Sequence, residues 1–63
     1  MTLERFIEVC GEGGLSERAA RKFWNMAEVD GFNPELLFED EKALLKTARQ
    51  TIEAFPELAR HAN

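Results

Sequence analysis

The chain has 63 residues, a net charge of −4, five phenylalanines, one cysteine and one histidine. This length provides for a single domain at most, spanning residues 1–63, and a domain this small buries only about 60% of its unfolded surface. One cysteine excludes an internal disulfide, the negative charge disfavours non-specific binding to nucleic acid, and no apolar run is long enough to span a membrane. We therefore expect a marginally stable, soluble, cytoplasmic helical domain that gains from a partner.

The first predicted element is a helix over residues 3–10, with Thr2 as its N-cap. Leu3, Phe6, Ile7 and Cys10 recur at the spacing of a buried helical stripe. The following segment, Gly11-Glu12-Gly13-Gly14, ends the helix. A Gly-rich turn before a helix can also hold phosphate, but no Lys-Ser/Thr pair follows it and no strand precedes it. The segment is therefore interpreted as a connector between two helices.

The second predicted helix, over residues 16–29, begins at the N-cap Ser16. Its apolar side combines small residues with the aromatic pair Phe23 and Trp24, and its opposite side carries three basic residues. Two interpretations of Trp24 stay open, because a lone tryptophan either fills the core or anchors an interface. The basic side is interpreted as a solvated face, an acidic-partner surface or a phosphate-binding face, and it consists of Arg18, Arg21 and Lys22.

A short helical turn near residues 34–38 is predicted by Asn33 as N-cap and Pro34 at the first helical position. Phe32, Leu36 and Leu37, with Phe38, are expected to plug one end of the core. The last long helix, over residues 40–55, opens with three acidic residues that favour the helix dipole. Its apolar stripe is Leu44, Leu45, Ala48, Ile52 and Phe55. Another face is small and weakly polar, which makes it a second candidate contact surface, and it consists of Ala43, Thr47, Gln50 and Ala54.

No catalytic, cofactor-binding or metal-binding constellation is recognisable in the sequence. Cys10 lies on an apolar stripe, where a buried and inert thiol is expected, and the only histidine, His61, is in the C-terminal tail. Asp30-Gly31 lacks the alternating acids that a calcium loop requires. We therefore expect a protein that is not an enzyme and that has no metal, cofactor or small-molecule substrate.

Several short stretches resemble part of the Hha/YmoA family, which are small helical modulators of nucleoid-associated repressors. The similar positions cover less than half of the chain, and they are Thr2-Leu3-Glu4-Arg5, Ile7-Glu8, Leu15-Ser16, Phe23-Trp24 and Ala27-Glu28. That family has an upstream helix for which this chain has no residues, and the sequence departs from its pattern from Glu28 onward. The resemblance implies only that a protein-binding regulator is a reasonable shape for such a sequence, and we do not assign the chain to the family.

The sequence therefore predicts an all-α fold, a small bundle of three main helices with one short helical turn. The predicted core is Phe6, Ile7, Phe23, Trp24, Leu36, Leu44, Ala48, Ile52 and Phe55. The predicted function is binding to another protein or to a second copy in a homodimer, as an adaptor, regulator or inhibitor. The alternative is a nucleic-acid-binding transcriptional regulator that uses the basic face of helix 16–29, for which salt-sensitive DNA binding would be diagnostic. The candidate partner-binding residues are Arg18, Arg21, Lys22, Trp24, Thr47 and Gln50.

Overall fold

A computed structural model describes residues 1–60 of the chain. It contains four α-helices, α1 (Leu3–Glu12), α2 (Glu17–Val29), α3 (Pro34–Leu37) and α4 (Glu41–Ala54), followed by a 3-10 helix (Pro56–Leu58). Within residues 1–60 there is no strand, only an isolated antiparallel bridge between Leu15 and Ala59. The predicted all-α fold with three main helices and one short turn is confirmed. Residues 61–63, whose terminal position predicts fraying, lie outside the described range.

Each α-helix begins at a residue whose side-chain oxygen accepts a hydrogen bond from a free backbone N–H of the first turn. Thr2 Oγ1 accepts from the Arg5 N–H at 3.2 Å, and Ser16 Oγ accepts from the Ala19 N–H at 3.2 Å. Asn33 Oδ1 caps α3, and Asp40 Oδ1 caps α4 by accepting from two backbone N–H groups. The helix starts are therefore encoded locally, by residues that the sequence displays.

Helix α1 is the centre of the fold, because α2 packs on one side of it and α4 on another. Helix α2 begins beside the 3-10 helix that follows α4, where the Ser16 N–H donates to the Leu58 carbonyl at 2.9 Å. It ends at the loop into α3, which leads directly into α4. Helices α2 and α4 therefore run in opposite directions along the two flanks of α1.

The core is built on the α1 residues Phe6, Val9 and Cys10, each at most 2% exposed. The Phe6 ring centroid lies 5.2 Å from that of Trp24 and 4.6 Å from that of Phe38, so three aromatic rings from three segments meet. Tilted ring pairs at these distances contribute about 0.5–1.5 kcal/mol beyond their burial. The remaining buried members are small or aliphatic, and they are Leu15, Ala19, Ala20, Leu44 and Ala48.

Two predicted core residues are corrected by the structure, since Leu36 is 65% exposed and Phe55 is 54% exposed. Helix α3 is a single turn that buries only Pro34, so Leu36 and its neighbours Phe32 and Leu37 stay at the surface. Of the four residues that were expected to plug this end, only Phe38 packs against the core. Phe55 is the C-cap residue just beyond the end of α4, and it is not part of the buried core cluster. Ile7, Phe23 and Ile52 are half-buried against the core.

The loop between α1 and α2 is held tightly against α4 and the C-terminal segment. A Cβ added at Gly13 would lie 2.7 Å from Ala48 Cβ and 3.1 Å from the Leu45 carbonyl oxygen, which is closer than packed atoms approach. Gly14 has φ of +99°, a conformation that side chains other than glycine rarely adopt. Its carbonyl accepts from the Arg60 N–H at 2.8 Å. These glycines let α1 turn sharply without moving away from α4.

Candidate protein-binding groove

An open apolar groove lies between α2 and α4, because each of these helices packs on α1 while the space between them is left uncovered. Its central part has a volume of about 290 Å³. Phe6, Cys10 and Leu15 form its floor, and the larger part of its walls is apolar. We call it the α2/α4 groove, and its central lining is Phe6, Cys10, Leu15, Phe23, Met26, Phe38, Leu44, Thr47, Ala48 and Thr51.

The two threonines of the α4 wall have their hydroxyl groups satisfied by their own helix. Thr47 Oγ1 donates to the Ala43 carbonyl at 2.9 Å, and Thr51 Oγ1 donates to the Thr47 carbonyl at 2.8 Å. A partner that covered this wall would therefore leave no hydroxyl donor without an acceptor, which is the main penalty for burying such groups. The wall behaves as a small, smooth surface that another helix can approach closely.

The groove extends in both directions, and its two ends differ in charge. Towards α3 it continues into a hollow beside Leu37 and Ala43 that also includes the carboxylate residue Asp40. Towards the 3-10 helix it continues into a hollow lined by Ala19, Phe55 and Leu58, with Lys22 at its edge. The α3 end is therefore acidic, and the opposite end is apolar with a basic rim.

The three basic candidates, Arg18, Arg21 and Lys22, lie on the outer side of α2 around a shallow surface depression. Arg21 Nε donates to Glu17 Oε2 at 2.9 Å, one helical turn away, so part of its charge is neutralised. In residues 1–60, Arg18 and Lys22 form no ion pair. Lys22 also lines the groove, which joins the basic face of α2 to the groove in one continuous surface.

The other candidate residues fall in three different surroundings. Trp24 is only 7% exposed and contacts Phe6, so it fills the core and offers almost no side-chain surface to a partner. Thr47 lines the groove, as a residue of its α4 wall. Gln50 is exposed further along α4 and is not among the lining side chains. The structure thus brings Lys22 and Thr47 to one site and separates Trp24 from it.

The groove floor contains one cysteine, Cys10, whose thiol is buried. Burial raises the pKa of the Cys10 thiol to about 11, so the thiol stays protonated and unreactive near neutral pH. Over residues 1–60, no three His, Cys, Asp or Glu side chains are placed so that they could hold a metal ion. None of the helices described is long and apolar enough to cross a bilayer.

Two groove residues, Phe23 and Met26, were not among the predicted partner-binding residues, and Phe23 was predicted to lie in the core. Phe23 is half-buried and Met26 is 50% exposed, so both extend past the contact with α1 and form the α2 wall. The available signal was the width of the apolar side of α2, which is broader than one packing contact with α1 needs. The unusually small face of α4 was the matching signal for the opposite wall.

The chain matches no protein-family model, and comparisons with curated proteins and with solved structures found no match.

Proposed function

We propose that this protein is a small interaction module that acts by binding a protein segment in its α2/α4 groove. The observation that carries the proposal is an open, apolar groove whose walls come from two helices that each pack on α1. Large apolar side chains exposed around a concave surface are typical of protein-binding sites. Met26 and Phe55 are both about half exposed at this groove.

The shape and chemistry of the groove fit a helix of the bound partner. A helix inserts apolar side chains spaced three and four residues apart into a groove between two helices, as in known helix-in-groove recognition. The small residues Ala43 and Thr47 on the α4 side allow a close approach. With the hydroxyl groups of this wall bonded within α4, burial of the groove costs little in lost hydrogen bonds. An adaptor, regulator or inhibitor works by this kind of contact.

Binding of nucleic acid by the basic face of α2 is the weaker alternative. Within residues 1–60, Arg18 and Lys22 are the two basic residues of this face without an ion pair, since Arg21 is bonded to Glu17. Asp30 borders the same depression, and the chain carries a net charge of −4. A phosphate backbone would meet repulsion around two free cations.

The buried, protonated Cys10 fits the reducing, cytoplasmic setting that we propose for the protein.

Site-specific photo-cross-linking tests the groove as the binding surface. A benzophenone amino acid is placed at Thr47, in the groove wall, and in a matched variant at Lys46, the adjacent exposed residue outside the lining. Irradiation of the cells that produce the protein is expected to yield a defined protein adduct from position 47 and none from position 46. Equal adducts at both positions, or no adduct at position 47, would contradict the proposal.

A further inference from the structure

The exposed surface of α2 has a polarity along its length. Arg18 and Lys22 occupy one side of its first two turns, and Met26 and Val29 continue the same stripe in its last two turns. Val29 is 85% exposed and Met26 is 50% exposed. The helix therefore presents a ridge that is basic at its N-terminal half and apolar at its C-terminal half. We call this the α2 ridge.

The α2/α4 groove also differs between its two ends, because one end is acidic and the other is apolar. Its α3 end contains Asp40, with Glu39 next to it in the chain, and this end lies beside the N-terminus of α4. Its other end contains Phe55 and Leu58, which offer apolar surface beyond the end of α4. A helix with a basic N-terminal half and an apolar C-terminal half fits this groove when it runs parallel to α4.

We propose that the occupant of the α2/α4 groove is the α2 ridge of a second copy of this chain, with each copy inserting its ridge into the groove of the other around a two-fold axis. Because α2 and α4 run in opposite directions, a helix parallel to α4 is antiparallel to α2. Two identical helices placed antiparallel are related by a two-fold axis, so the contact closes as a dimer and does not continue into a filament. This inference rests on the proposed function, since it names the partner of the same groove.

The antiparallel arrangement pairs unlike surfaces along the whole contact. The partner's Arg18 and the partner's Lys22 approach the acidic α3 end, while the partner's Met26 and the partner's Val29 approach Phe55 and Leu58. Asp30, at the C-terminal end of α2, comes opposite the partner's Arg18. The reverse direction would place basic halves side by side, which like-charge repulsion disfavours. The charges therefore select the orientation, and the apolar surface supplies the association.

The size of the available surface is consistent with a stable dimer. A standard interface buries about 800 Å² per copy, which is about one sixth of the 4574 Å² exposed by this chain. Helix α2 has 13 residues and extends about 20 Å. The ridge and the groove both follow this length, and the interface takes in four of the large apolar side chains that are otherwise exposed, Met26, Val29, Leu37 and Phe55.

Sedimentation and light scattering of the full chain test the dimer. At physiological salt, the native protein is expected to change from the 7.2 kDa chain to twice that mass as its concentration rises. The single variants Arg18→Glu and Asp30→Lys are each expected to weaken dimerisation about tenfold or more, because each repulsive pair occurs twice by symmetry. The double variant is expected to recover the native dissociation constant, since the two reversed charges again face each other across the interface.

An interaction between residues 18 and 30 of the same copy cannot account for the recovered dissociation constant of the double variant. Residues 18 and 30 are about 18 Å apart along one helix, which is beyond the screening length of about 8 Å at physiological salt. Both single changes also suit the helix dipole, with the acid near the N-terminus and the base at the C-terminus, so the monomer stays folded. Circular dichroism of each variant checks this, and Lys46→Glu on the other side of α4 serves as the control with unchanged mass.

The outcomes separate this inference from the proposed function. A native protein that stays monomeric at all concentrations, or a dimer insensitive to both single variants, overturns the dimer. If the chain is monomeric while Thr47 still cross-links to a different protein, the dimer is wrong and the groove keeps its binding function. If the cross-linked species has twice the mass of the chain and the double variant restores it, both are supported.

Discussion

The two sides of this molecule differ in how completely the helices cover one another. On the α1 side, which includes the groove floor, Phe6, Val9 and Cys10 are almost fully buried beneath α2 and α4, whereas Met26 and Phe55 on the groove walls stay half exposed. Both sides are built from similar apolar residues. The difference arises because α2 and α4 each pack on α1, while an open groove remains between their facing side chains. An apolar side chain that the described part of the chain leaves exposed offers apolar surface for binding.

Replacing Phe6 by Ala gives the largest expected effect on this comparison. Phe6 contacts Trp24 and Phe38, and its removal leaves a cavity at the meeting point of three segments. We expect the free energy of unfolding to fall by about 3–5 kcal/mol, which such a small domain is barely able to tolerate. The matched variant Phe55→Ala removes the same side chain from the groove and is expected to cost about 1 kcal/mol or less in the monomer.

Urea denaturation followed by circular dichroism measures both Phe variants at a protein concentration where the chain is monomeric. Similar losses for Phe6→Ala and Phe55→Ala would mean that the groove side is packed as tightly as the α1 side, and the distinction between the two sides would fail.

An intermediate effect is expected for glycines in the α1–α2 connection. Gly13→Ala forces a Cβ against Ala48 and the Leu45 carbonyl, so we expect α1 and α4 to separate at a cost of about 1–3 kcal/mol. Gly11→Ala is the control, because its added Cβ comes no closer than 3.6 Å to Arg60 Nη1. Gly11 lies within α1, where alanine is favoured over glycine by about 1 kcal/mol, so this change is expected to stabilise the protein.

Thermal unfolding of the two glycine variants therefore gives melting temperatures on opposite sides of the native value. If Gly13→Ala melts at or above the native temperature, the close approach of the connection to α4 is not a constraint on the fold.

The smallest expected effect concerns the exposed ion pair that ties α1 to the start of α4. Arg5 donates two hydrogen bonds to Glu41, from Nε at 2.9 Å and from Nη2 at 2.6 Å. These bonds hold the pKa of the Glu41 carboxyl below its usual value. A carboxyl with a lowered folded pKa adds stability above its unfolded pKa of about 4.3, and this stability is lost as the pH falls through the folded pKa.

Glu41→Gln is therefore expected to lower the midpoint of urea unfolding slightly at pH 7 and to match the native protein in acid. Because both side chains are exposed, salt screening should also reduce the difference. Glu53→Gln, which alters an α4 carboxylate with no ion pair in residues 1–60, is the control and should show no such pH dependence. A Glu41→Gln effect that is independent of both pH and salt would exclude the ion pair as its cause.

Much of the fold was predictable because its helix boundaries are local. The sequence predicts Thr2, Ser16 and Asn33 as N-caps, because their side-chain chemistry operates within one turn. Asp40, which caps α4, was predicted only as one of the three acids that open the last helix. The apolar spacing of α1, α2 and α4 likewise gave their buried sides. The candidate site was harder to predict from the sequence, because the open space between two helices depends on how both pack on a third. The Ala43–Thr47 face of α4 and the basic side of α2 were recognisable, but not their meeting around one groove.

The sequence by itself determined the approximate starts of the four helices, the place of Phe6 in the core, and the absence of charge from one face of α4. These follow from hydrogen bonds and periodicity within single segments. Only the tertiary structure decided that Phe38 and not Leu36 closes the core, that Phe55 stays exposed, and that Met26 and Thr47 face one another across a groove. Such outcomes depend on contacts between segments that are distant in the chain. The packing of α1, α2 and α4 decides which apolar side chains contact the core and become buried.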